Sequence, residues 1–131
     1  MWILVVEDEE PVRNLLRIAL EYAGYDVVEA CNGREGLAKY HQTDIRLVIT
    51  DLEMPEMDGV TMINALRGEQ AQVPVIVISG SGQERIDSAR ACGVQQVLPK
   101  PFCLKELLST VHTLMCGQSQ EHQSAKYSAI E

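Results

Sequence analysis

Five short apolar runs alternate along this chain with stretches whose apolar residues recur at helical spacing, and that alternation restricts the fold more than any other feature. The runs are Ile3 to Val6, Tyr25 to Ala30, Leu47 to Ile49, Val73 to Ile78 and Val94 to Leu98. The first, third and fourth lack the polar alternation of a half-exposed strand, so they read as strands covered on both faces. The second, with only Val27, Val28 and Ala30 apolar, reads as a more exposed edge strand. The intervening stripes are Val12, Leu15, Leu16, Ala19, Leu20 and Ala23; then Leu37, Ala38 and Tyr40; then Val60, Met62, Ile63 and Leu66; then Ile86, Ala89 and Cys92. Leu104, Leu107, Leu108, Val111, Leu114 and Met115 trace the last and cleanest. Strands and helices in strict alternation give an α/β fold of the (βα)5 type, with a doubly wound five-stranded parallel sheet in the order 2-1-3-4-5.

Local chemistry marks the element ends. Pro11 suits a first helical turn, and Asn32 with Glu35 three residues later resembles a capping box. Gly24, Gly68 and Gly93 sit where helices should stop. Pro74 is expected at the first residues of the fourth strand, where a missing N–H is tolerated. Beyond residue 116 the apolar period vanishes. The domain is therefore expected over 1–116, with 117–131 a polar tail, disordered or a linker.

Composition narrows the function. A chain of 131 residues fits one domain, and 46% hydrophobic with 23% charged residues is the balance of a soluble globular protein. The net charge of -8 argues against a surface for nucleic acid or anionic membrane. With no run of membrane-spanning length and no basic start of a signal peptide, the expected location is cytoplasmic. Cys31, Cys92, Cys103 and Cys116 form no C-x-x-C pair and read as reduced small hydrophobes. His41, Met54, Met57 and Met62 lack the partners a metal site would need.

The chemistry-bearing residues fall at strand ends. Glu7-Asp8 follows the first strand, Asp51 the third, Ser79 the fourth and Lys100 the fifth. In the 2-1-3-4-5 order, strands 1 and 3 lie side by side, which brings Glu7, Asp8 and Asp51 into one crevice with Lys100 at its mouth. Carboxylates so crowded must hold protons or bind a cation, and an all-oxygen site suits Mg²⁺, with Mn²⁺ as the alternative. Mg²⁺ beside an accessible Asp, a Lys and a hydroxyl is an arrangement for phosphoryl chemistry.

At Glu7-Asp8, Asp51-Leu-Glu-Met-Pro-Glu-Met-Asp-Gly59, Ser79-Gly80 and Lys100-Pro101-Phe102 the sequence resembles the CheY-like receiver domain of two-component response regulators, which shares the flavodoxin-like architecture. The resemblance implies that Asp51 is the phosphoacceptor. Glu7, Asp8, Asp51 and the Glu53 backbone carbonyl would hold the metal. Lys100 and Ser79 would bind the phosphoryl group, with Lys100–Pro101 a candidate cis bond, and the side chains of Glu53 and Ser81 would flank the attacking water and tune dephosphorylation. The implied donor is a sensor histidine kinase or a histidine phosphotransfer protein. A downstream protein target is also implied, with no direct nucleic-acid or membrane contact, in a monomer or a weak phosphorylation-dependent dimer. The read-out is expected to move the 79–82 loop and the fourth helix, changing the helix 4–strand 5–helix 5 surface. One position departs from the family: three residues before the lysine, where an aromatic ring usually reports activation, this chain has Val97. Two alternatives are a flavodoxin-like electron carrier, which the acidic loop at 7–10 disfavours, and a degenerate interaction domain, which the complete set of reactive residues disfavours.

Overall fold

A computed structural model describes residues 1–80 and 82–128, with side chains described through residue 117. Its elements are β1 (Trp2–Val6), α1 (Glu10–Tyr22), β2 (Asp26–Ala30), α2 (Gly33–Gln42), β3 (Ile45–Thr50), α3 (Gly59–Gly68), β4 (Val75–Ser79), α4 (Gln83–Ala91), β5 (Gln96–Pro99) and α5 (Leu104–Ser128). All strand pairs are parallel and the order is β2-β1-β3-β4-β5, as the alternation of runs and stripes requires. Among the described residues no helix is long and apolar enough to cross a membrane.

The unbroken apolar runs resolve into two cores because successive strand side chains point to opposite faces. Leu4 and Val6 of β1, Val48 of β3 and Val75 and Val77 of β4 meet Met62, Ile63 and Leu66 of α3 and Ala89 of α4 on one face. Ile3 and Val5, Leu47 and Ile49, and Ile76 and Ile78 meet Leu16 and Leu20 of α1 and Leu107 and Val111 of α5 on the other. The weak amphipathicity of α4 is real: Ala89 is its one buried residue. At the edge, β2 is only partly covered.

Differences from the sequence expectation have local causes. The fourth strand begins at Val75 rather than Val73: Pro74 has no N–H to donate, and only its carbonyl joins the sheet, accepting from Val48 N at 3.0 Å. Gln95 precedes β5 but already bonds β4 twice: its N donates to Val75 O at 2.9 Å, and its side-chain Oε1 accepts from Val75 N at 2.7 Å. The capping box at α2 is half formed. Asn32 Oδ1 accepts from Glu35 N at 2.8 Å, but the Glu35 carboxylate receives the Cys31 thiol at 2.9 Å. Since α5 spans Leu104–Ser128, the expected 116/117 boundary falls within a helix. The side chains after 117, residues 129–131 and Ser81 lie outside the described residues.

One side chain joins three elements. The Arg67 guanidinium, on the last turn of α3, donates to Cys92 O at 2.9 Å, Ala71 O at 2.7 Å and Val73 O at 3.0 Å. It thereby ties the carboxyl end of α4 and the entry to β4 to α3.

The loop from Asp51 to Asp58 is fixed from several sides. Gly59 N donates to Leu52 O at 2.9 Å, Gly33 N donates to Met57 O at 2.9 Å, and Asp58 Oδ1 caps α3 by accepting from Thr61 N at 2.8 Å. Gly59 is required by proximity: a Cβ there would run into the Asp51 carbonyl oxygen, with Leu52 Cα also too close. Backbone atoms cannot step aside as a side-chain tip can. Gly59→Ala is therefore expected to lower the unfolding free energy by roughly 1–3 kcal/mol in urea titration. A loss under about 0.5 kcal/mol, the scale of an ordinary surface change, would show that the loop has slack.

Candidate functional site

The carboxyl ends of β1, β3, β4 and β5 supply the site, and backbone pairing sets its spacing. Asp51 N donates to Val6 O at 3.1 Å, which locks Asp51 beside the start of the Glu7-Asp8 pair. Glu7 N in turn donates to Ala30 O at 3.0 Å, and Lys100 N donates to Ser79 O at 3.0 Å. The Lys100–Pro101 peptide is cis. Glu7, Asp51 and Ser79 are buried, while Asp8 is exposed.

Side chains then converge. Asp51 Oδ1 accepts from Leu52 N at 2.6 Å, and Oδ2 accepts from Lys100 Nζ at 2.8 Å. Lys100 Nζ also lies 3.2 Å from Glu7 and 3.2 Å from Glu9. Glu7, Asp8 and Asp51 each present a carboxylate oxygen, all within 4.8 Å of one another. Burial, and next the Asp51 charge, push the Glu7 carboxyl up to about 7, against the pull of Lys100 and the Glu9 amide. For Lys100, burial works against the charge, but the hydrogen bond to Asp51 and the charges of Glu7 and Asp51 prevail and raise its pKa.

This donor set fits a hard divalent cation. Three carboxylates offer oxygen alone, one of them open to solvent, and the pair that would repel most carries a proton near neutrality instead of a second charge. Metal entry would release that proton. Mg²⁺ suits such a site because it keeps several waters and needs few protein ligands.

Of the residues predicted from sequence, Glu7, Asp8, Asp51 and Lys100 meet directly, and Ser79 sits on the adjoining strand end with its carbonyl bonded to the Lys100 backbone. Glu53 is exposed, its amide 3.4 Å from Asp51 Oδ1. Val97 pairs with Val77 and packs on the α2–α3–α4 side, as an ordinary strand residue would. Ser81 lies outside the described residues. Two charged residues escaped the sequence reading. Glu9 was visible only as one of an acidic run and is the third carboxylate on Lys100. Arg85, on the first turn of α4, reaches Asp58 Oδ2 at 3.6 Å and Glu53 Oε1 at 4.0 Å, and no sequence spacing signals that reach.

Residues 3–112 match the response regulator receiver domain. The chain belongs to that family. This receiver domain is 35% identical to the DNA-binding dual master transcriptional regulator RpaA of a Synechocystis species, over 98% of its own length and 54% of that protein. It is 37% identical to the transcriptional regulatory protein ResD of Bacillus subtilis, over 90% of its length and 49% of the relative. The chain thus spans about half the length of these curated relatives. A response regulator receiver protein from Pseudomonas putida superposes with a TM-score of 0.82 at 34% identity, over 86% of this chain and 95% of that one. The receiver is a two-component signalling domain; receivers bind Mg²⁺ at an acidic pocket, and this one has an acidic cluster of Glu7, Asp8 and Asp51.

The Glu7 shift fixes a pH dependence for the metal-free receiver. Its carboxyl moves from 4.5 to about 7 on folding, so the stability it contributes is fully present below pH 4.5 and is lost as pH rises through 7. The loss amounts to about 3 kcal/mol. Glu7→Gln, which cannot ionise, should flatten this slope relative to wild type in denaturant unfolding with chelator present, and should leave the metal-free protein the more stable of the two at pH 8. Parallel pH profiles for the two proteins would mean that Glu7 titrates normally.

Proposed function

We propose that this receiver is switched by phosphorylation of Asp51, with the phosphoryl group coming from a sensor histidine kinase or a histidine phosphotransfer protein. The observation that carries the reading is the Asp51 carboxylate itself. It is buried at the end of β3, one oxygen held by Lys100 at 2.8 Å and the others of the acidic cluster within 4.8 Å. Glu7, Asp8, Asp51 and the Glu53 backbone carbonyl would hold Mg²⁺, or Mn²⁺. Bound there, the ion supplies neutralising charge for the phosphoryl oxygens. An Asp51 oxygen attacks phosphorus, the P–N bond to the donor imidazole breaks, and the imidazole leaves. The Lys100 ammonium, already charged, pairs with a phosphoryl oxygen, and the Ser79 hydroxyl bonds another. Hydrolysis returns the carboxylate, with the side chains of Glu53 and Ser81 beside the path of the attacking water.

A protein donor has to cross the rim of the pocket, and α1 begins at that rim. Leu15, Ile18 and Tyr22, at helical spacing on α1, are exposed and offer it an apolar stripe. The location that suits such a donor is the cytoplasm. What the receiver controls is open to the relatives' example: those named as transcriptional regulators point to an output on gene expression, made through a downstream protein partner or through chain outside the matched half.

The chemistry has a direct test. Incubation with acetyl phosphate and Mg²⁺ should add the mass of one phosphoryl group to the intact protein, and both Asp51→Asn and a chelator should abolish the gain. Labelling that survives in Asp51→Asn would overturn the phosphoacceptor assignment.

The read-out has another. Val97 is β-branched, stiff at χ1 and too short to swing between two environments. The pliable parts are the glycines at 80 and 82 and helix α4, with Ala89 alone fully buried. Activation is therefore routed through the loop and α4 to the α4–β5–α5 surface. Hydrogen exchange with and without beryllofluoride should change across residues 82–92. Changes confined to residues 51–58 would contradict this route.

A further inference from the structure

The acidic pocket has a charge problem at its mouth. A phosphodonor is an anion, yet Asp8, Glu53 and Asp58 line the open depression of about 450 Å³ through which it would approach. Lys100 does not relieve this, because it sits on the far side with Asp51, Glu7 and Glu9. The cation in the wall of the depression is Arg85. It comes from a different element, the first turn of α4, and faces Glu53 Oε1 at 4.0 Å and Asp58 Oδ2 at 3.6 Å. Asp58 is already engaged through its other oxygen as the cap of α3, so Glu53 is the mobile charge of the two.

These pairs are half-exposed, with Arg85 48% accessible, and such pairs add little to stability. Removing them should therefore leave the fold nearly unchanged, so that an effect on the site can be read by itself. A rim charge acts chiefly on the rate at which a charged partner arrives. We propose that Arg85 is a positioning residue for phosphodonor entry: by pairing with Glu53 it cancels that carboxylate at the mouth of the pocket and admits dianionic donors to Asp51. The inference rests on Asp51 being the phosphoacceptor. It assigns Arg85 no contact with the reacting phosphorus, only control of the charge at the mouth, chiefly that of Glu53.

The reaction used to test it is balanced without further reagents. The P–O bond of acetyl phosphate breaks as an Asp51 oxygen bonds phosphorus, and acetate leaves. Initial labelling rates would be followed by intact mass at saturating Mg²⁺ and low ionic strength. Arg85→Gln is expected to slow labelling by acetyl phosphate severalfold, with the deficit shrinking as salt is added. The deficit should be smaller with phosphoramidate, whose ammonium nitrogen offsets one of its charges. Arg85→Lys should recover most of the rate, because a point charge suffices. In a Glu53→Gln background, Arg85→Gln should cost clearly less rate than in wild type, the remainder coming from the Asp58 charge that Arg85 also faces, a result that a merely structural arginine would not give. Equal rates for wild type and Arg85→Gln would overturn the proposal, as would the same loss in both backgrounds. If wild type itself takes no label at Asp51, the phosphoacceptor reading fails and the Arg85 role falls with it.

Discussion

Repulsion between the carboxylates of Glu7, Asp8 and Asp51 is the constraint on which the structure depends. The parallel sheet brings them within 4.8 Å because Asp51 N must pair with Val6 O, and no side-chain choice elsewhere relaxes that spacing. Two compensations follow. Lys100, delivered from the opposite side of the sheet centre, shares its ammonium among Asp51, Glu7 and Glu9. Glu7, the most enclosed of the three acids, keeps its proton up to a pH of about 7. The acids are thus balanced by a lysine and a proton. A divalent cation entering the cluster would take the place of that proton and satisfy the same carboxylates.

The rest of the fold isolates that site from the packing that supports it. Two cores on opposite faces of the sheet bury β1, β3 and β4, so the strand ends are rigidly placed while the loops beyond them carry chemistry. The loop after β3 is held by hydrogen bonds from Gly33 and Gly59 and by the cap at Asp58. The opposite wall is looser, made by α4 with its single buried alanine. Packing is thus dense on the side that bears Asp51 and sparse beneath α4.

Much of this was legible in the sequence because it rests on patterns one element long. Unalternating runs such as Ile3 to Val6 state that a strand is covered on both faces, and the parallel order then follows from connection rules. The meeting of Glu7, Asp8, Asp51 and Lys100 was legible for the same reason, since all four end strands. What could not be read depends on side chains reaching across elements. Glu9 finds Lys100 from 91 residues away, and Arg85 finds Asp58 from α4, through rotamers that no periodicity encodes. Gln95 bonds Val75 through both its amide and its side chain just ahead of β5, a side-chain reach that no alternation encodes. At residues 117–131 the lost apolar period marked a change in composition and said nothing of where α5 stops.

The staple made by Arg67 gives α4 a direction. Its carboxyl end is bound through Cys92 O to α3 and, by the same guanidinium, to the entry of β4, whereas its amino end meets the pocket through half-exposed ion pairs. A rod held firmly at one end and loosely at the other moves as a lever. At 1.5 Å per residue the lever from Gln83 to Ala91 is roughly 13 Å long. If α4 moves, the fulcrum would lie where α3, α4 and β4 join, and the displacement would be greatest at the end that carries Arg85. A push there would tilt the outer surface of the helix while leaving the core beneath Ala89 in place, a change of angle and not of packing.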